Sequence, residues 1–184
     1  MGGNRSDALT KAEEWHDMAP LTTAENEVPS TPPTGRPGAR VGQVAEFTLI
    51  ARFKPGGADQ LRAVLRRTAP RLEEAANRVG TLHDMRWVIF DDDTRVLFAT
   101  TFDGDWDAYV DDFAAKLGEP LDTHMAMLEG YPGVASPQIK DWLTRHQITA
   151  DGWFCAYPDA TVRQIWKGQQ VLRAFEALLD TAAS

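Results

Sequence analysis

The stretch LHDMRWVIFDDDTRVLFATTF, residues 82–102, limits the fold more than any other part of the chain. Two runs rich in β-branched and aromatic residues flank the polar tetrad Asp91 to Thr94. Strand formers on both sides of a short polar turn predict an antiparallel hairpin. The run Asp91 to Asp93 is read as turn chemistry, because it lacks the ligand spacing of a calcium loop.

The flanking sequence supplies partners for the hairpin. EFTLIARF, from Glu46, alternates apolar residues and predicts a first strand, broken by KPGG. A helix follows from Ala58, with Leu61, Val64, Leu65, Leu72, Ala75, Ala76 and Val79 on one stripe. Pro70 is expected to kink or divide it, and Gly80 to stop it. After the hairpin, Trp106, Tyr109, Val110, Phe113 and Leu117 recur at helical spacing, and Gly118 is expected to end that helix. PLDTHMAMLEG reads as a second short helix closed by Gly130. Ser136 and Pro137 read as the cap and first turn of a third, carrying Ile139, Trp142 and Leu143. Asp151 and Gly152 turn the chain into WFCAY, a predicted fourth strand with Cys155 as a buried small hydrophobe. Asp159 is expected to cap a last helix whose stripe is Val162, Ile165, Trp166, Gln169, Leu172, Phe175 and Leu179.

The order strand, helix, strand, strand, helices, strand, helix predicts an α+β fold. Its specific form is ferredoxin-like βαββαβ: a four-stranded antiparallel sheet, extra helices before the last strand and a C-terminal helix. Helices then cover one sheet face and leave the other for a second copy. This body is placed at residues 45–184. Residues 1–44, with PLTTAENEVPSTPPTGRPG, are rich in Pro, Thr, Gly and Glu and lack periodicity. They predict a flexible or partner-wrapping arm, with Trp15 and Met18 as its anchors.

Composition sets outer limits. A chain of 184 residues, 43% hydrophobic, is long enough for one well-buried core and short for two. A formal net charge of -8 argues against nucleic acid and anionic membrane surfaces, which select for Lys and Arg. No apolar run reaches spanning length and no signal segment opens the chain, so a cytoplasmic protein is expected. A single cysteine excludes an intrachain disulfide and a CxxC site. His16, His83, His124 and His146 are too widely spaced for an HxxxH or HxH pair, and no metal site is expected.

Across about Ala45 to Ala182 the chain resembles the dimeric α/β-barrel superfamily. The segments that carry the likeness are EFTLIARFKPGGADQLRAVL, LHDMRWVIFDDDTRVLFATTFDG and DWDAYVDDF. FTLIARFKPG and LHDMRWVIF followed by FDGDWDAYV also resemble a bacterial group of poorly defined function. The resemblance implies a homodimer built on ferredoxin-like sheets. Members include cofactor-free monooxygenases of antibiotic pathways, haem-degrading enzymes, isomerases, chlorite dismutases, dye-decolourising peroxidases and stress-induced proteins. No motif carries a catalytic residue over from them, and fold alone does not fix function.

Strand alternation sorts the candidate site. Phe47, Leu49, Ala51 and Phe53 share the face expected to meet the helices; Met85, Trp87 and Ile89 go with His83. The opposite face holds Thr48, Ile50 and Arg52 from the first strand and Asp84, Arg86, Val88 and Phe90 from the second. Either Val96, Phe98 and Thr100 or Leu97, Ala99 and Thr101 joins that face. Arg86, Asp84, Arg52 and His83 are the catalytic candidates. Arg would hold an anionic substrate oxygen and Asp84 would act as base. Thr48, Ile50, Val88, Phe90 and His124 are the substrate-binding candidates. The competing account is a cross-strand ion pair at a dimer interface for Asp84 and Arg86, and ordinary core or cap roles for the two histidines.

Three functions fit this set. The first is a small-molecule enzyme of a specialised, natural-product type pathway. It would work without a cofactor by oxygenation, isomerisation or cyclisation, with Arg52 or Arg86 stabilising negative charge. The second is a haem-binding protein or haem enzyme, with His83 or His124 as axial ligand. The third is a non-catalytic accessory subunit that meets a larger enzyme through the N-terminal arm. The enzyme ranks first.

Overall fold

A computed structural model describes residues 38–183. Residues 1–37, including the anchors Trp15 and Met18, lie outside them. Among the described residues the architecture is α+β: five strands in one antiparallel sheet and five α-helices. The strands are β1 (Arg40–Val41), β2 (Val44–Arg52), β3 (Leu82–Phe90), β4 (Arg95–Asp103) and β5 (Gln147–Ile148). The helices are α1 (Gly57–Thr68), α2 (Leu72–Val79), α3 (Trp106–Met125), α4 (Ile139–His146) and α5 (Val162–Ala183).

The hairpin forms as its alternation dictates, with β3 paired to β4 from Phe90↔Arg95 outward. Asp91, Asp92 and Asp93 all take positive φ, a conformation that short carboxamide and carboxylate side chains tolerate best. Arg62 on α1 grips Asp93 at 2.7 Å, and its guanidinium holds the Asp93 carboxyl below the usual range. β4 is central: β2 flanks one side and β3 the other, and β1 and β5 share the outer edge of β2. β2 and β3 therefore run parallel to each other with β4 between them.

Pro70 divides the first long helical pattern: a 3-10 turn, Ala69–Arg71, separates α1 from α2. Gly80 ends α2 at φ 75, in the left-handed region. Phe47, Leu49 and Ala51 from β2 and Val96, Phe98 and Phe102 from β4 pack under Leu61, Val64, Tyr109 and Phe113. This leaves Leu97, Ala99 and Thr101 on the other face and settles the choice left open for the third strand.

Several expected boundaries move. WFCAY is irregular, and Cys155 there is only half-buried. The strand that closes the sheet is Gln147–Ile148, fixed by pairing with Leu49 and Thr48. Gly118 does not end α3; the helix continues to Met125 through a kink at Leu117, whose φ is -127. Pro120 explains the kink, because it has no N–H for the carbonyl one turn back. α4 starts at Ile139 rather than at the Ser136–Pro137 pair, and Ser136 instead accepts from the Gln138 N–H. α5 starts at Val162, behind Thr161 rather than Asp159; the Thr161 hydroxyl accepts from the Gln164 N–H at 3.3 Å. Residues 40–43, assigned to the arm by composition, form β1 and its turn. Among the described residues no helix is long and apolar enough to cross a membrane.

Candidate functional site

A cavity of about 290 Å³ opens beside β3, under α1, α2 and the second half of α3. Leu65, Ala75, Met85, Phe113, Leu117 and Leu121 give it an apolar wall, and Thr68, Arg86, Trp87 and His124 also line it. The kink in α3 places His124 there. Asp122, one turn from the helix end, accepts from the Tyr131 hydroxyl at 2.7 Å and the Val134 N–H at 2.8 Å, and so anchors the end of α3 to the following loop.

The imidazole is held at both nitrogens. His124 Nδ1 lies 2.6 Å from the Pro120 carbonyl, which accepts its proton. Nε2 is therefore the acceptor in the neutral ring, and it lies 3.0 Å from the Thr68 hydroxyl. That hydroxyl also reaches the Val64 carbonyl at 3.0 Å. Its one proton has two destinations. With a neutral ring it serves Nε2; with a protonated ring it turns to Val64, and Nε2–H donates to the Thr68 oxygen. His124 can gain a proton without stranding a polar atom. Its ring stacks on Trp87 at 5.9 Å. The Trp87 indole N–H is buried and has no partner among the described residues.

The sequence candidates do not converge on one place. Asp84 and Arg86 face away from the core, with side chains 46% and 61% exposed. They pair with each other at 2.8 Å within one strand, not across strands. Arg52 sits near the opposite end of the sheet. Its register partner is Arg95, which pairs with Phe90, whereas Arg86 pairs with Ala99 beside Thr48. Four strand residues, about 13 Å, separate the Arg52 level from the Arg86 level. Arg52 lines a separate cleft of about 410 Å³ with Ile50, Arg95, Glu129 and His146. Thr48, Ile50, Val88 and Phe90 share the second sheet face with Leu97 and Ala99, where Val88 is 46% exposed. Ile50 also borders the Arg52 cleft, and none of the four borders the cavity beside β3.

His83 has a structural task. It occupies a bulge between Leu82 and Asp84, and its Nε2 meets Asp103 Oδ1 at 2.7 Å. The other oxygen of Asp103 accepts from the Val162 N–H at 2.7 Å, at the start of α5. The hairpin and α5 are thus pinned by one carboxylate. Neither histidine presents a free Nε2 to a haem iron: that of His124 meets the Thr68 hydroxyl and that of His83 meets Asp103. Among the described residues no group of three His, Cys, Asp or Glu side chains gathers to hold a metal ion.

Three residues that matter were missed in the sequence. Thr68 gave no signal beyond its place at the end of a helix. Trp87 reads as a core aromatic by parity and proves to border the cavity. Glu46 is buried on the second face, where it accepts from Ala39 N–H at 3.0 Å, Ala150 N–H at 3.1 Å and the Thr48 hydroxyl at 2.9 Å. Compared with family models, curated proteins and solved structures, the chain gives no match.

Proposed function

We propose that the protein is a cofactor-independent enzyme acting on a small, largely apolar and aromatic substrate in the cavity beside β3. The observation that carries this reading is His124: a basic nitrogen with a fixed tautomer, in an apolar recess of ligand size, whose hydrogen bonds accommodate an added proton. Ligand sites are mainly apolar with a few convergent polar groups. Isomerisation, cyclisation and cofactor-free oxygenation share a first step, removal of an acidic C–H or O–H proton. His124 Nε2 takes that proton once the substrate displaces the Thr68 hydroxyl. The electron pair left behind resides on substrate oxygen. Arg86 is the one cation among the residues that border the cavity, and its mostly exposed guanidinium favours that charge from the rim. Asp84 holds Arg86 and is a positioning residue rather than the base.

The test uses an aromatic ketone, indan-1-one, in deuterium oxide. The expected result is deuterium wash-in next to the carbonyl, catalysed by the wild-type chain and reduced about a hundredfold in His124→Gln, the usual size of a general-base contribution. Wild-type protein that binds the ketone, seen as a change in Trp87 fluorescence absent from Trp87→Phe, but leaves exchange at the buffer rate would end the enzyme reading and leave a binding protein.

The strand order is that of a split βαβ arrangement, which supports the ferredoxin-like reading. On that reading the chain is a homodimer. Val88 and Ile148 on the open sheet face are each close to half exposed, and α5 carries a further run of exposed apolar residues. Exposed apolar surface of this extent marks association. Sedimentation across a concentration series should show a dimer.

A further inference from the structure

After Trp166, α5 leaves the body. Every residue from Lys167 to Ala182 is exposed, so the helix projects roughly 24 Å. Val171, Leu172, Phe175, Leu178 and Leu179 are each more than half exposed. Its stripe meets the core at Val162 and is half-covered at Ile165 and Trp166, but from Leu172 on it meets nothing among the described residues.

We propose that α5 pairs antiparallel with α5 of a second copy of this chain. This rests on the homodimer reading and says which surface joins the copies. Three observations choose a copy of the same helix. First, Gly168, Leu172, Phe175, Leu179 and Ala182 continue from Ile165 in alternating steps of three and four, the 3.5-residue seam of a left-handed helix pair. A two-fold axis between Arg173 and Ala174 brings every seam residue level with another one. Leu172 meets Phe175 of the partner helix, Gly168 meets Leu179, and Ile165 meets Ala182. Small residues oppose large ones at both outer layers. Second, Gly168 stands inside a helix where a Cβ would touch nothing within 4 Å. Glycine weakens a helix, and nothing among the described residues requires it there. A partner Leu179 would need the space. Third, the projecting helix is basic toward its base, at Lys167 and Arg173, and acidic toward its tip, at Glu176 and Asp180. Antiparallel pairing sets the basic half against the acidic half and places Arg173 on the same flank as Glu176 of the partner helix. Parallel pairing would set like against like.

The experiment uses the full chain carrying Cys155→Ser. Gly168→Cys and Leu179→Cys chains are mixed in equal amounts and oxidised. The expected product is a disulfide between the two different chains. Leu172→Asp with Phe175→Asp should weaken the dimer about a hundredfold in sedimentation, since each chain then buries two charges in the seam. Gly168→Leu should also weaken it, although leucine favours the helix. Each alternative overturns the pairing in a different way. Cross-links of either variant with itself mean parallel helices. A dimer indifferent to the Asp substitutions means the copies join through another surface, so the homodimer reading stands and this one falls. A monomer at every concentration, with α5 protected from hydrogen exchange, means that the chain's own undescribed residues or another partner cover the helix, and both readings fall.

Discussion

Glu46 shows how much of this fold hangs on single polar groups. Its carboxylate gathers β1, β2 and the segment after β5 through three donors. Glu46→Ala leaves one buried and two half-buried donors unserved and is expected to cost about 2–4 kcal/mol in denaturant unfolding. Tyr109 is the corresponding group on the helix face. Its hydroxyl donates to Thr100 at 2.9 Å, and burial pushes its pKa well above 10.0. The folded chain keeps that proton to higher pH than the unfolded chain. Its contribution is whole below pH 10 and declines above it, by about 1.4 kcal/mol per pH unit until the raised value is reached. Melting across alkaline pH checks this; Tyr109→Phe should flatten the decline. At this scale the sequence was partly legible. His124 stood out as a candidate because a histidine on a short helix can cover a cavity. Its usefulness depends on Thr68, distant in the chain and silent in the pattern. Arg52, Asp84 and Arg86 shared a face as alternation predicts, but alternation gives the face and not the level along the strand.

Elements with their own periodicity were legible: the hairpin, the stripe of α1 and α2, and the stops at Pro70 and Gly80. β5 was not, because two residues carry no period and only pairing with β2 defines them. WFCAY shows the converse, strand-forming composition without a neighbouring strand to accept it. Gly118 looked like an end because glycine and proline usually end helices; here packing carries α3 past both. Pro120→Ala should straighten α3 and raise thermal stability, by up to about 3 kcal/mol. It should also misplace His124, so that cavity ligands bind about tenfold more weakly by calorimetry, a difference of about 1.4 kcal/mol. α5 was legible as amphipathic, but its partner surface is not within the described residues. Hydrogen exchange over residues 167–182 should be fast in dilute protein, as for an isolated helix, and slow as concentration rises.

For the whole molecule, the boundary of the folded body is the consequential point. Composition put it at Ala45, yet Gly38 takes φ 99 so that its backbone can lie against Glu46, where a Cβ would come within 1.8 Å of the Glu46 carbonyl oxygen. A chain beginning at Ala45 loses β1 and the Ala39 N–H that Glu46 accepts. It should be about 2–4 kcal/mol less stable than one beginning at Gly38, compared by urea midpoint and slope. Polar, proline-rich composition reads as an arm up to its last residue. Only the three-dimensional pairing shows where a sheet takes hold of it.

The place where the sheet closes also orders events in time. β3 and β4 are joined by four residues and find each other locally, whereas β5 must return to β2 from beyond α4. Loop-closure entropy makes the hairpin early and the two-residue strand late. A newly made chain therefore passes through a stage with the outer edge of β2 covered by β1 but bare at Thr48 and Leu49. The same backbone is uncovered first when the native protein opens, so Gln147 and Ile148 guard against strand-to-strand aggregation as well as completing the sheet.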